Sequence, residues 1–250
     1  MEASRVLLAA FFFALAAGAF FLFGNPPAGP ELSNAALAPM GNAHALTVTI
    51  TNEGAADRLI SVGSEEATGV MAMGADSTDG LTIPAGSAPG LSMDGAHVML
   101  TGLPADMEEG RLVPVTLTFA KAGTLTTRAR LGGGMAGMGH DVAFEVPADE
   151  PRPSVSLTVR PDGDGWIAEA LVSHFQFSKD QVDGEHSPGL GHGHLYLNGL
   201  KLQRIYEPNT RIGALLPGDY TVRVTLNTND HRPYSVDGAV VTAVATFTVE

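Results

Sequence analysis

Short runs in which Val, Leu or Ile alternates with Thr constrain the fold of this 250-residue chain more than any other feature. Residues 45–51 (ALTVTIT) and 112–120 (LVPVTLTFA) are two examples. Because successive side chains of a strand point to opposite faces, each run places apolar groups on one face and hydroxyl groups on the other. The 30 Gly and 16 Pro mark turns between the runs, and aromatic residues make up only 6% of the chain. This pattern predicts an all-β protein.

A proline-rich segment divides the chain into two parts of ordinary domain size. Residues 147–153 (PADEPRP) contain three prolines, which favour an extended and stiff connection. Turn residues separate the predicted strands at short intervals on both sides of this linker, as in β-sandwiches or Greek-key barrels. We therefore expect two β domains, over residues 31–146 and 154–250.

The N-terminal segment is strongly apolar. Residues 6–23 carry no charge and follow the basic residue Arg5. Such a segment is either a secretory signal or a membrane-spanning helix. The apolar run continues to Gly24 without a clear cleavage site, which favours an uncleaved anchor. We expect residues 1–30 to be a signal peptide or a membrane anchor with a spacer (25–30, NPPAGP), and the remainder of the chain to be exported.

Charge and composition exclude several classes of function. The net charge of −13 argues against binding to nucleic acid, because both partners would be anionic. The chain contains no Cys, which excludes disulfides, zinc ribbons and thiol nucleophiles. Any bound metal must therefore be held by His, Met, Asp or Glu.

A first group of candidate metal ligands lies in the stretch from residue 69 to 103. His97 and Met99 share one face of a predicted strand, and Met71 and Met73 stand upstream with the same spacing. An imidazole combined with several thioethers suits the soft ion Cu(I). The alternative is that these Met side chains fill a hydrophobic core, as Met often does on strands.

The N-terminal half also resembles a known family, over roughly residues 40–130. The segments that carry the resemblance are residues 45–52, 57–60, 83–86, 97–103 and 115–119. They are similar to the periplasmic PCuAC copper chaperones. That family binds Cu(I) through a His, a Met and a downstream His-x-Met pair on a cupredoxin-like β-sandwich.

The resemblance implies a set of ligands and a partner. His97 and Met99 correspond to the His-x-Met pair. The family's first His has no counterpart here, and Met71 and Met73 stand nearest to the places of its first His and Met. The resemblance further implies a periplasmic location, at the inner membrane if the anchor is retained, and delivery of copper to the centre of a respiratory oxidase.

The C-terminal half carries a second group of candidate ligands. Asn198-Gly199 predicts a hairpin between strands 192–197 and 200–206, so that His192 and His194 share one face. His186 precedes the first of these strands, and His231 follows a strand over residues 220–227. Neutral imidazoles suit Cu(II), Zn(II) or Ni(II), with copper first in affinity. We expect a second copper site on an immunoglobulin-like sandwich. The alternative is that each His is solvated or hydrogen-bonded at the surface.

Two further features leave alternatives open. Residues 132–140 (GGGMAGMGH) form either an ordinary glycine-rich loop or a lid that brings Met135, Met138 and His140 to the first site. His174 lies within a predicted strand and is either a partnered core residue or an additional ligand.

Sequence motifs of common enzymes are absent. The chain has no G-x-S-x-G nucleophile elbow and no P-loop. We therefore expect a copper chaperone rather than an enzyme. The alternatives are a copper-dependent redox enzyme or a copper storage or resistance protein that uses the C-terminal His residues.

Overall fold

The structure is a computed structural model that describes residues 29–76, 79–104, 106–132 and 142–250. Within these ranges the secondary structure consists of strands and short connections, which confirms the all-β prediction. No helix in this part of the chain has the length and apolarity needed to cross a membrane. The apolar segment 6–23 and the residues Met135, Met138 and His140 lie outside the described residues.

The N-terminal half contains nine strands among the described residues, and two of them, β2 and β8, coincide with the alternating runs 45–51 and 112–120. Their bounds are β1 (Glu31–Met40), β2 (Ala43–Thr51), β3 (Asp57–Gly63), β4 (Gly69–Met73), β5 (Leu81–Ile83), β6 (Gly90–Leu91), β7 (His97–Thr101), β8 (Leu112–Phe119) and β9 (Gly123–Leu131). Strand β1 was not predicted, because its sequence ELSNAALAPM lacks β-branched residues and contains a proline.

The C-terminal half contains shorter and longer strands in succession. Their bounds are β10 (Phe144–Glu145), β11 (Ser154–Asp162), β12 (Gly165–Ser173), β13 (Gln176–Phe177), β14 (Leu190–Leu197), β15 (Leu200–Ile205), β16 (Asn209–Ile212), β17 (Gly218–Asn227), β18 (Tyr234–Val236), β19 (Ala239–Val240) and β20 (Thr242–Val249). Asn198 and Gly199 both have positive φ, at 47° and 84°, and form the predicted tight turn between β14 and β15.

One 14-stranded sheet runs through both halves. Eleven of its strands follow one another in the order β20-β17-β14-β15-β6-β2-β1-β9-β8-β3-β5, and the other three, β4, β7 and β13, pair beside this path. Within this sheet, the two halves are joined where Lys201 on β15 pairs with Gly90 on β6. Strand β7 pairs with both β2 and β4, and two further sheets have three strands each. The expected arrangement of two sandwiches is not confirmed, and the domain boundaries stay a prediction.

The hydrophobic core is continuous between the halves. The alternation of β8 buries Val113, Val115 and Leu117 and leaves the residues between them partly accessible. Leu197 and Val222 from the other half belong to the same cluster of buried side chains. Buried side chains of both halves therefore contribute to one hydrophobic cluster.

The connection between β6 and β7 lies against the β14–β15 hairpin. The Ala96 amide donates to the Gly199 carbonyl at 2.7 Å. From the connection between β4 and β5, the Asp76 amide donates to the Asn198 carbonyl at 3.1 Å. Gly95 is required here, since a Cβ at this position would lie 2.7 Å from the Gly199 carbonyl oxygen. This close approach brings residues of the first half to the His residues of the second.

Candidate functional site

The first site is built on the antiparallel pair β4 and β7. The register places Met71 opposite Met99 and Met73 opposite His97. Directly opposed residues of an antiparallel pair point to the same face, with Cβ atoms about 4.5–5.5 Å apart. All four predicted ligands therefore lie together on one face, which we call the thioether–imidazole face (Met71, Met73, His97 and Met99).

The thioether–imidazole face is accessible to solvent. Met71 is 57% exposed and Met73 is 43% exposed, so neither fills a core. His97 and Met99 are half-buried. The His97 Nδ1 atom lies 3.0 Å from the Gly95 carbonyl oxygen. Because a carbonyl oxygen only accepts hydrogen bonds, Nδ1 carries the proton, and Nε2 keeps the lone pair that a metal ion needs.

The second site is formed by three of the four predicted histidines, His192, His194 and His231, which we call the His triad. One ring nitrogen from each lies within 4.8 Å of the other two. The His192 Nε2 atom is 3.0 Å from His194 Nε2 and 3.1 Å from His231 Nδ1. His192 and His194 are buried, and His231 is partly buried.

Local sequence explains why these rings converge. Strand β14 alternates Gly and His at positions 191–194, and its glycine face is closely packed. A Cβ at Gly193 would lie 2.5 Å from Cγ1 of Ile205, whereas the opposite face carries the two imidazoles. His231 has a left-handed backbone with φ of 71°, in a turn where its amide donates to the Thr228 carbonyl at 3.0 Å. This turn directs its ring toward β14.

Two carboxylates fix the tautomers of the His triad. The His194 Nδ1 atom donates to Asp94 Oδ2 at 2.9 Å, and His231 Nε2 donates to Asp183 Oδ1. The remaining nitrogens of these two rings therefore present lone pairs to His192. The His192 Nδ1 atom is buried and has no hydrogen-bond partner among the residues that the structure describes. Converging lone pairs in a buried site are unfavourable without a cation, so the arrangement fits a metal ion.

Burial keeps His192 and His194 neutral. Burial lowers the pKa of His192 to about 2, with further contributions from the charged forms of His194 and His231. Burial also lowers the pKa of His194 to about 4, against the opposing effect of Asp94. Burial alone would raise the pKa of Asp94, but its hydrogen bond with His194 and the charge of Lys201 hold that pKa well below its usual range. Neutral imidazoles are the form that binds metal ions.

A cleft of about 900 Å³ opens onto the His triad between the two halves. His194 and His231 line it, together with the cations Lys201, Arg204 and Arg223. The cleft gives a small molecule or a partner's side chain access to a metal held by the triad.

The structure places His186 and His174 elsewhere. The His186 Nε2 atom lies 3.0 Å from Glu150 Oε2, and its ring lies 4.0 Å from the Phe144 ring. The structure therefore does not bring His186 to the triad with which it was predicted to act. His174 is exposed, with φ of 52°, and is not a core residue.

Neither of the two carboxylates that accept hydrogen bonds from the His triad was predicted from the sequence. Asp183 belongs to the segment that contains His186, and its charge beside a His-rich run was the available signal. Asp94 belongs to the other half of the chain, and no local pattern links it to His194.

A family model and two solved structures that contain copper-binding domains match the first half. Residues 31–131 match a family model described as putative lipoprotein LpqE-like. A copper-bound PCuAC domain from PmoF2 is 24% identical, with a TM-score of 0.38, and the match covers 43% of this chain and 95% of that one. The solution structure of CuI-DR1885 from Deinococcus radiodurans is 29% identical, with a TM-score of 0.34, and the match covers 43% of this chain and 78% of that one.

No curated protein matches the chain. These matches report a similarity of the first half to PCuAC domains, which is the resemblance that the sequence predicted. The copper site that we expect in the C-terminal half stays a prediction.

Proposed function

We propose that this chain is an exported copper chaperone that takes up Cu(I) on the thioether–imidazole face and hands it to another cuproprotein. The observation that carries the proposal is the register of β4 and β7, which brings Met71, Met73, His97 and Met99 to one face. One imidazole and three thioethers form a soft ligand set, and such a set favours Cu(I) over harder divalent ions.

The exposure of the face supports delivery rather than retention. A chaperone releases its ion by ligand exchange, so an acceptor's side chains must reach the bound copper. The thioethers of Met71 and Met73 are accessible enough for this approach. Thioethers also have no proton to lose on binding, so the site stays competent in a mildly acidic compartment.

The His triad supplies a second and harder site, for Cu(II) or as a second copper store. Its three nitrogens converge, and carboxylates orient two of the rings. Imidazole ligands suit Cu(II), with copper first among the divalent ions in affinity. Two sites of different softness would let one chain hold both oxidation states.

The proposed location is the periplasm, and the proposed acceptor is the copper centre of a respiratory oxidase. The uncharged segment 6–23 supports export and a tether to the inner membrane. The matched family is described as a putative lipoprotein, but a lipid linked through a thiol is not available to a chain without Cys. The apolar segment is therefore the proposed anchor.

A second candidate function is that of a copper-dependent redox enzyme or a copper store that uses the His triad. The observation that favours it is the cleft beside His194 and His231, which leaves access to a metal coordination position. An enzyme would keep its copper through many turnovers, whereas a chaperone would lose it to a competing acceptor.

Metal titrations test the proposal. The full chain is titrated with Cu(I) under anaerobic reducing conditions and separately with Cu(II). The same titrations are made on the variants His97→Ala/Met99→Ala and His192→Ala/His194→Ala. We expect the first variant to lose a Cu(I) equivalent and the second to lose a Cu(II) equivalent. Unchanged stoichiometry in the first variant would show that the thioether–imidazole face is not a copper site.

A transfer experiment separates the two candidate functions. Cu(I)-loaded chain is mixed with a Cu(I)-specific chromophoric chelator in moderate excess. Rapid transfer of copper at a rate that rises with chelator concentration supports the chaperone. Copper that stays with the protein supports storage or catalysis.

A further inference from the structure

The turn between β6 and β7 carries a carboxylate that crosses to the other half of the molecule. The Asp94 Oδ2 atom accepts hydrogen bonds from Lys201 Nζ at 2.5 Å, from His194 Nδ1 at 2.9 Å and from Tyr196 Oη at 3.0 Å. Its Oδ1 atom accepts from the Ser92 hydroxyl at 2.7 Å. All three donors to Oδ2 lie on β14 or β15, so the contacts of this oxygen belong to the second half.

We propose that Asp94 is a positioning residue for the His triad, so that the metal site of the second half is complete only when the first half is docked against it. The proposal rests on the metal-binding role of the triad proposed above. A carboxylate that accepts from the outer nitrogen of a ligating imidazole fixes its tautomer, its orientation and its basicity. Asp183 does this for His231 from within the second half, whereas His194 depends on the first half.

The position of Asp94 is fixed by its backbone surroundings. The amide of Ser92 donates to the Ala96 carbonyl at 3.0 Å, and the Gly95 amide donates to the Ser92 carbonyl at 2.9 Å, which closes the turn. The Ala96 amide then donates to the Gly199 carbonyl across the interface. A rigid turn held from both sides places the carboxylate at the ring and needs no rearrangement when a metal ion binds.

Loss of this carboxylate should affect binding in a specific way. Without Asp94, the outer nitrogen of His194 has no carboxylate acceptor and keeps only its contact of 3.3 Å with the Tyr196 hydroxyl, which holds the tautomer and orientation less firmly. Removing such an outer partner typically weakens metal binding about 10- to 100-fold. An Asn at this position keeps an acceptor oxygen but not the charge, so its effect should be intermediate.

The experiment measures the dissociation constant of Cu(II) on the full chain, by competition with a chelator of known affinity. It compares the wild type with the Asp94→Ala and Asp94→Asn variants. Thr82→Val is the matched control, because it removes a hydrogen bond of 3.2 Å to the Tyr220 hydroxyl elsewhere between the halves. Electron paramagnetic resonance of the Cu(II) forms reports the number of coordinated nitrogens.

We expect Asp94→Ala to bind Cu(II) about 10- to 100-fold more weakly, with altered nitrogen hyperfine structure, and Thr82→Val to bind as the wild type does. Wild-type affinity in both Asp94 variants would overturn the inference. Equal weakening of Cu(II) binding in Thr82→Val would also overturn the inference. The loss would then be explained by a weaker contact between the halves and not by the position of the Asp94 carboxylate. The variant His192→Ala/His194→Ala separates the two proposals: if it keeps Cu(II) binding, the triad is not a metal site at all.

Discussion

Truncation of Met71 distinguishes a metal ligand from a core residue. Full burial of a Met side chain stabilises a protein by about 1.5–3 kcal/mol. Since Met71 is 57% exposed, the change Met71→Ala should lower the free energy of unfolding of the metal-free chain by at most about 1 kcal/mol. Leu100, next to Met99 on β7, is 0% exposed, and Leu100→Ala should cost about 2–5 kcal/mol.

Met71→Ala should weaken Cu(I) binding strongly although it changes the stability of the chain only slightly. Loss of one of the soft ligands should weaken Cu(I) binding at least about tenfold, equivalent to about 1.4 kcal/mol. Urea unfolding of the metal-free variants measures the change in the free energy of unfolding. Anaerobic competition with a Cu(I) chelator measures the change in Cu(I) affinity. A large loss of stability with unchanged Cu(I) affinity would refute the ligand interpretation and restore Met71 to the role of core filler.

Three further predictions concern the second half. Because burial holds the pKa values of His192 and His194 at about 2 and about 4, below those of the unfolded chain, the unfolded state takes up protons first as the pH falls. The metal-free protein should therefore lose about 2 kcal/mol of stability per ring between pH 7 and pH 5, seen by urea unfolding, and the variant that replaces both by Ala should lack this loss. Gly193→Ala should destabilise by about 1–3 kcal/mol in the same assay, because the new Cβ would meet Ile205, and a neutral result would mean that the glycine face is loosely packed. Asp183→Ala should weaken Cu(II) binding about 10- to 100-fold in competition titrations, and unchanged affinity would show that this carboxylate does not orient its imidazole.

Periodicity alone predicted most of the strands. The alternation of apolar residues with Thr located β2 and β8 closely, since period-two burial is a local property. Strand β1 escaped because its alanines and proline carry little strand preference. The sheet that joins the halves was not predictable, because one pairing between Lys201 and Gly90 leaves no pattern in the sequence.

The sites were predictable to the extent that they depend on neighbours along a strand. The spacing of His97 and Met99, and of His192 and His194, gave each pair a common face. That β4 pairs with β7 in the register that opposes Met73 and His97 was not predicted, because register depends on contacts across the sheet. His186 was assigned to the His triad by proximity in sequence, whereas the structure holds it against Glu150 and Phe144.

The positioning carboxylate Asp94 could not be found from the sequence. Its contacts in the second half are distant in sequence, since the contact with Tyr196 spans 102 positions and the contact with Lys201 spans 107. Nothing in the local sequence SMDGAH separates it from an ordinary turn residue. Long-range contacts of this kind become visible only when the strands are assembled.

X-ray absorption at the copper edge tests the central claim most directly. The variant His192→Ala/His194→Ala, which lacks the His triad, is loaded with one equivalent of Cu(I) under anaerobic conditions. We predict a copper environment dominated by sulfur, with the outer-shell scattering of one imidazole, as Met71, Met73, Met99 and His97 would provide. A copper environment that contains only nitrogen and oxygen would contradict the assignment of the thioether–imidazole face as the Cu(I) site.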